Sequence, residues 1–288
     1  MQLKVLRTIK EMEEYAAKVH QAGKSIGLVP TMGALHPGHM ALMEAAKAKC
    51  DVVIASVFVN PVQFGPQEDY EAYPRQFEKD CEKLEEHKVD AVFHPSVSEM
   101  YPLGYASFVT VEGAFVQKLC GAQRPGHFRG VATVVLKLFH LTRADRAFFG
   151  QKDAQQVVVI QRLVQDLHVP VIIEMVPIQR ETDGLARSSR NAYLKPEDRK
   201  AAVVLYQSLQ AAKKLYADGE RSAPVLREKT KLVIEAETRA RLDYAEILTF
   251  PDLQETAELT GASLLAVAVK FGQVRLIDNI LLGAETCC

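Results

Sequence analysis

Between Lys24 and Val176, short continuously apolar, β-branched runs alternate with amphipathic segments, and this pattern constrains the fold more than any other feature of the chain. A run that is apolar at every position, not at every second one, is buried on both faces, which is the condition of a parallel strand covered by helices on either side. Runs at 25–29, 52–59, 146–149 and 171–176 meet that condition, and helices are expected at 39–49, 75–86, 130–142 and 154–167. The class is therefore α/β, with a doubly wound parallel sheet. Beyond about Glu181 the order changes to two helices, 196–216 and 224–236, and then three strands, 242–249, 263–270 and 274–280. That order fits a smaller α+β domain. The expected division is 1–180 and 181–288, with Pro177, Asp183 and Gly184 punctuating the join.

Charge narrows the partners. Thirty-five Lys and Arg nearly cancel thirty-six Asp and Glu, so no global field draws the chain to nucleic acid or to an anionic membrane. Any anion must be held by local chemistry. The five cysteines (Cys50, Cys81, Cys120, Cys287 and Cys288) have no zinc-site or disulfide spacing, and a reducing, cytoplasmic setting is expected. The first fifteen residues lack the apolar core of a signal peptide, and no stretch approaches the ~20 apolar residues that span a bilayer. Without a polybasic companion, Cys287 and Cys288 read as a frayed tail and not a lipid anchor.

The chemistry starts where an apolar strand ends at Pro30 and runs through a glycine-containing loop into a helix near Gly38. In an open α/β sheet, ligands lie beyond the carboxyl ends of strands, where helix N-termini offer unpaired N–H groups. Gly33 and Gly38 allow close backbone approach, while His36 and His39 add imidazole donors for phosphate oxygens. Two other readings stand beside this one: a metal pair lacking a third ligand, and exposed loop histidines. Neither common phosphate fingerprint, Gly-x-Gly-x-x-Gly or Gly-Lys-Ser/Thr, is present. Residues 148–153, Phe-Phe-Gly-Gln-Lys-Asp, repeat the strand-to-helix setting and bring Lys152, while 187–191, Arg-Ser-Ser-Arg-Asn, offer two hydroxyls and Arg190 as a cover for a triphosphate. Taken singly, each is equally an ordinary helix start or turn.

Taken in order, Pro30 to His39, Phe58-Val59-Asn60-Pro61-Val62-Gln63-Phe64, Phe148 to Asp153 with Gln155-Gln156, and Asp183 to Asn191 resemble the pantothenate synthetase family. The likeness extends to Leu242-Asp243-Tyr244 and to 275–279. His-x-Gly-His alone marks only the wider nucleotidyltransferase superfamily; the ordered set is specific. The resemblance implies a Rossmann-like domain binding ATP and pantoate, a C-terminal lid domain, and condensation of pantoate with β-alanine at the expense of ATP through a pantoyl-adenylate. It implies AMP and pyrophosphate as products, Mg²⁺ accompanying ATP, and a homodimer.

The same resemblance assigns residues. His39, His36, Lys152, Ser188, Ser189 and Arg190 become the catalytic donors, with His39 the usual proton donor of the family. ATP contacts are implied for Met32, Gly33, Ala34, Leu35, Pro37, Gly38, Gly150, Gln151, Asp153, Gln179 and Arg187 in addition. Pantoate or β-alanine contacts are implied for Gln63, Gln156, Met32, Asn60 and His127, and a metal-side position for Asp80, beside which Lys79 stands where some relatives carry a second acid. Ala154 and Arg187 also depart from the family pattern, without removing a group assigned to chemistry. Three alternatives stay open on the sequence: a nucleotidylyltransferase that retains AMP in its product, a non-catalytic nucleotide-binding module, and a metallohydrolase.

Overall fold

The computed structural model describes residues 2–66, 68 and 70–284; Cys287 and Cys288 lie outside the described residues. Contacts divide the chain into two compact units. The first comprises Met1–Val116, Cys120–Gln151 and Gln156–Pro177, and the second gathers Gln117–Leu119, Lys152–Gln155 and the chain from Ile178 on.

Within the first unit the order is β1 (Lys4–Leu6), α1 (Ile9–Gln21), β2 (Ile26–Thr31), α2 (Pro37–Lys47), β3 (Val52–Val57), α3 (Phe77–Glu86), β4 (Ala91–Phe93), α4 (Val97–Met100), α5 (Leu119–Gln123), α6 (His127–Thr142), β5 (Arg146–Gly150), α7 (Ala154–Asp166) and β6 (Ile172–Val176), with the ends of α5 and α7 shared with the second unit. The six strands are all parallel, in the order β1-β4-β3-β2-β5-β6. From β2 the chain winds outward through β3 and β4 and later returns through β5 and β6, so the direction reverses between β2 and β5. Ligands of such sheets bind at that reversal, beyond the carboxyl ends of the strands.

The pleat explains why these strands read as continuously apolar. Val52 and Ile54 join a core built with Met12, Ala16 and Val19 of α1 and Val131, Val135 and Leu138 of α6. Their neighbours Val53, Ala55 and Val57 join a separate core with Met40, Met43 and Ala46 of α2 and Leu84 of α3. Successive side chains on one strand thus serve opposite helical layers. The expected doubly wound sheet is observed, with two additional strands, β1 and β4, each of three residues.

In the second unit α8 (Pro196–Ala201), α9 (Val204–Ala217) and α10 (Ala223–Glu235) precede the antiparallel sheet β7 (Arg241–Thr249), β8 (Ser263–Phe271), β9 (Val274–Leu282). The single helix expected over 196–216 is interrupted after Ala201, where the Leu205 amide bonds the Ala202 carbonyl in a tighter turn. Leu205, Leu209 and Leu226 pack on Leu265, Val267 and Val269 to form that unit's own core.

Ile54 is fully buried in the central strand β3. Replacing it by alanine is expected to destabilise the first unit by about 2–5 kcal/mol, from lost transfer energy and the residual cavity. Urea unfolding followed by circular dichroism reads this directly; a loss below about 1 kcal/mol contradicts the burial described.

Candidate active site

The loop from β2 to α2 is built by its own side chains and by α3. Thr31 donates its hydroxyl to the Ser56 carbonyl and accepts the Gly33 amide, starting the turn. Gly33 and Ala34 both adopt positive φ, 83° and 51°. A Cβ on Gly33 would lie 3.0 Å from Asp80 Oδ2 and 3.1 Å from Val57, so glycine suits both the turn and the space. Asp80, 1% exposed on α3, accepts the Ala34 amide at 2.9 Å and the Leu35 amide at 2.8 Å. Lys83, one turn further along α3, donates to the Leu35 carbonyl. The loop is therefore clamped at three backbone groups of two adjacent residues.

Histidines cap the helix that follows. His36 is the N-cap of α2 in extended conformation, with Pro37 at the first helical position. Its Nδ1 accepts the Gly38 amide at 3.1 Å, and His39 Nδ1 accepts the His36 amide at 3.2 Å. This reciprocal arrangement is usually made by Ser or Thr with Glu or Gln. A backbone amide can only donate, so neither Nδ1 carries a proton, and each neutral ring holds its proton on Nε2. The rings lie 4.0 Å apart, centre to centre. Two Nε2–H donors thus stand together at the start of α2, where the dipole of the helix favours negative charge. The helix begins two residues before the expected position because His36, not Gly38, is its cap.

A second cluster forms around the 3-10 turn Pro61–Gln63. Asn60, 1% exposed, donates from Nδ2 to Gln63 Oε1 at 3.1 Å and to the Gly130 carbonyl at 3.2 Å. Its Oδ1 accepts from the Tyr101 hydroxyl at 2.8 Å and from the Val62 amide at 3.4 Å. Gly130 makes the approach of α6 possible, since a Cβ there would sit 2.5 Å from Gln63 Cα. Gln63 Nε2 lies 3.2 Å from Met32 Sδ. Met32 also lines a cavity of about 420 Å³ together with Phe58, Tyr70, Phe77 and His94.

The backbone of Gln63 is held from the start of α6. His127 Nδ1 lies 2.9 Å from the Gln63 carbonyl, and its Nε2 faces Arg124 Nη1 at 2.9 Å. Because guanidinium only donates, Nε2 accepts and Nδ1–H donates to Gln63. Arg124 in turn pairs with Glu68 through both carboxylate oxygens. Burial pushes the Glu68 carboxyl up, but the Arg124 hydrogen bonds and charge outweigh it and leave it below its ordinary range.

In the second unit, Lys152 lies in a single 3-10 turn after β5, 3.7 Å from exposed Asp153. Asn279 of β9 donates to the Lys152 carbonyl at 3.0 Å. Beside it, Arg180 forms a two-point pair with Asp278, which is 2% exposed. Burial pushes the Asp278 carboxyl up, opposed by Arg180. The Arg187 amide bonds the carbonyl of exposed Gln179, and Ser188 Oγ accepts the Arg190 amide at 3.3 Å at the head of the turn Ser189–Tyr193.

The expected residues thus fall into groups. In the first unit His36 and His39 come together at the head of α2, and Asn60, Gln63, His127 and Met32 around the 3-10 turn; Gly150 ends β5, the neighbour of β2, Gln151 follows it, and Gln156 is half-buried in the first turn of α7. Within the protein, the Asn60 amide is hydrogen-bonded to Gln63 and Gly130, and His127 holds the Gln63 backbone. Asp80, expected beside a metal, has both oxygens on loop amides. Arg187, expected among the ATP contacts, is paired with Glu181 at 3.1 Å. Sequence reading passed over Tyr101, Glu68 and Arg180; their partners lie 41, 56 and 98 residues away, where no local pattern reaches.

Nitrogen-15 NMR of the imidazoles is expected to show His36 and His39 with bare Nδ1 and protonated Nε2, and His127 with the opposite tautomer. Protonated Nδ1 on His36 or His39 contradicts the capping geometry.

Comparison with known proteins places this geometry. The family model for pantoate–β-alanine ligase matches residues 4–281. The pantothenate synthetase of Pelotomaculum thermopropionicum is 53% identical over 279 residues, 97% of this chain and 99% of that one. The crystal structure of pantothenate synthetase from Thermus thermophilus superposes with a TM-score of 0.92 at 45% identity, covering 96% of this chain and 99% of that one. Pantoate–β-alanine ligase from Francisella tularensis, solved as a complex described as holding β-γ ATP and β-alanine, superposes with a TM-score of 0.79 at 36% identity, covering 97% of each chain. With its loop, its paired histidines and its glutamine cluster on a matching fold, the chain belongs to the pantoate–β-alanine ligase family.

Proposed function

We propose that the protein condenses pantoate with β-alanine in two steps that consume ATP and pass through a pantoyl-adenylate. In the first step a pantoate carboxylate oxygen attacks the α-phosphorus of ATP, a C–O–P bond forms, and the bond to the β-phosphate breaks to release pyrophosphate. In the second the β-alanine amine attacks the activated carbonyl, loses a proton, and AMP departs. Both steps need donors for phosphate oxygens whose charge grows as the bond breaks. The observation that carries the reading is the pair of Nε2–H groups on His36 and His39 at the head of α2. Lys152, Ser188, Ser189 and Arg190 are the donors proposed from the second unit. The family reading adds ATP contacts at Met32 to Gly38, Gly150, Gln151, Asp153, Gln179 and Arg187.

Gln63 and Gln156 suit pantoate because neutral amides can bind a carboxylate without cancelling the charge that makes it nucleophilic. The sulfur of Met32 beside Gln63 supplies an apolar neighbour for the methyl groups. The family reading makes the protein a cytoplasmic homodimer.

Mg²⁺ enters with the triphosphate. Among the described residues no group of three His, Cys, Asp or Glu is disposed to hold a metal, and the Asp80 carboxylate is engaged by the loop amides. These donors do not fit a protein-held ion. The magnesium of this proposal is therefore held by phosphate oxygens and water.

With ATP, pantoate and β-alanine together, AMP and pyrophosphate are expected in equal amounts with pantothenate; ADP formation, or turnover indifferent to pantoate, contradicts the proposal. His39→Ala is expected to lower kcat by about 10²–10³-fold, the scale for losing one charge-stabilising donor. Undiminished turnover removes His39 from the mechanism.

A further inference from the structure

The amide of Gln63 is held in one of its two orientations by groups whose hydrogen-bonding sense is fixed. The Gly130 carbonyl can only accept and the Val62 amide can only donate. Asn60, placed between them, must therefore turn Nδ2 toward Gly130 and Oδ1 toward Val62. In that orientation Asn60 Nδ2 also faces Gln63, so the Gln63 atom it meets must be the acceptor Oε1. Gln63 Nε2 is left pointing the other way, with the thioether of Met32, a weak acceptor, as its neighbour at 3.2 Å.

The shortest contact in this relay is made by Tyr101, whose hydroxyl meets Asn60 Oδ1 at 2.8 Å, against 3.1 to 3.4 Å for the others. The phenol is enclosed by aromatic neighbours. Its ring lies 6.2 Å from that of Phe58 and 4.9 Å from that of Tyr105, and Lys137 Nζ stands 5.6 Å over it. Burial, and then the Tyr105 phenol, hold the Tyr101 hydroxyl far above its ordinary range, so it remains a donor.

We propose that Tyr101 is a positioning residue for the acid substrate: through Asn60 it fixes the Gln63 amide with its N–H groups turned away from Asn60, on the Met32 side, where they donate to a carboxylate or hydroxyl oxygen of the substrate. Without the phenol O–H, the orientation of Asn60 is set only by its longer backbone contacts to Gly130 and Val62. The Gln63 amide then samples the inverted orientation, in which its oxygen meets the substrate carboxylate and repels it. The inference rests on the pantoate reading of the site, and it adds a residue that acts through Asn60 and Gln63.

The test is Tyr101→Phe, which keeps the ring and its packing and removes one oxygen. Steady-state kinetics of the full-length protein are measured with ATP and pantoate varied in turn, with thermal melting alongside. One hydrogen bond of ordinary net strength corresponds to a rise in KM for pantoate of about five- to tenfold. KM for ATP and the melting temperature are expected to stay unchanged. An unchanged KM for pantoate overturns the proposal, and so does an equal loss toward both substrates accompanied by a lowered melting temperature, which marks a merely structural role. In a Gln63→Ala background, Tyr101→Phe is expected to add nothing to the loss in kcat/KM for pantoate; additive losses overturn it as well. Unmodified protein run in parallel separates the two readings. If it does not use pantoate the functional reading fails, whereas normal use of pantoate by both proteins defeats only the role of Tyr101.

Discussion

Two backbone amides donated into imidazole rings at the head of α2 are the interaction on which the rest of the site depends. Most helices satisfy these orphan amides with a hydroxyl or a carboxylate. Using His36 and His39 instead brings no negative charge to a helix end that attracts anions, and it fixes both Nε2 nitrogens as donors. The acid nearest to this loop, Asp80, is turned inward and spent on the Ala34 and Leu35 amides. The loop thereby gains rigidity from a carboxylate without presenting that charge to a phosphate.

The same logic recurs in the second unit. Asp278 is nearly inaccessible, and a carboxylate there is costly unless it is paired and hydrogen-bonded. Arg180 answers it at two points, and the adjacent Asn279 bonds the Lys152 carbonyl. Strand β9 thus fixes the backbone that carries Lys152, whose side-chain amine lies 3.7 Å from the Asp153 carboxylate. Neutral amides do the corresponding work in the first unit, where Asn60 and Gln63 orient each other and His127 secures the Gln63 carbonyl. In these clusters the buried groups have named partners, which is what makes a polar network rigid instead of costly.

The principal strands were legible in the sequence because burial on both faces leaves an unbroken apolar run, as in Val52–Val57. The edge strand β1 and the strand β4 were not, since three residues carry no periodicity. Helix α1 had a readable start in Thr8 and Glu11, which form a capping box, yet it lies before the segment whose alternation defined the sheet. The histidine loop and Gln63 stood out because their neighbours along the chain form recognisable sets. Tyr101 did not, because its meaning lies in Asn60, and that contact exists only once β3 and the segment after α4 are folded together. Asp80 was visible as a residue but not as a loop clamp, since its partners are 46 and 45 positions away.

The central claim is that these donors serve a carboxylate attacking the α-phosphorus of ATP. Pantoate labelled with oxygen-18 in its carboxylate tests this directly, because the attacking oxygen stays with phosphorus when the amine displaces AMP. Mass spectrometry is predicted to find one labelled oxygen in each AMP released. Label confined to pantothenate and water, with AMP unlabelled, would contradict the account.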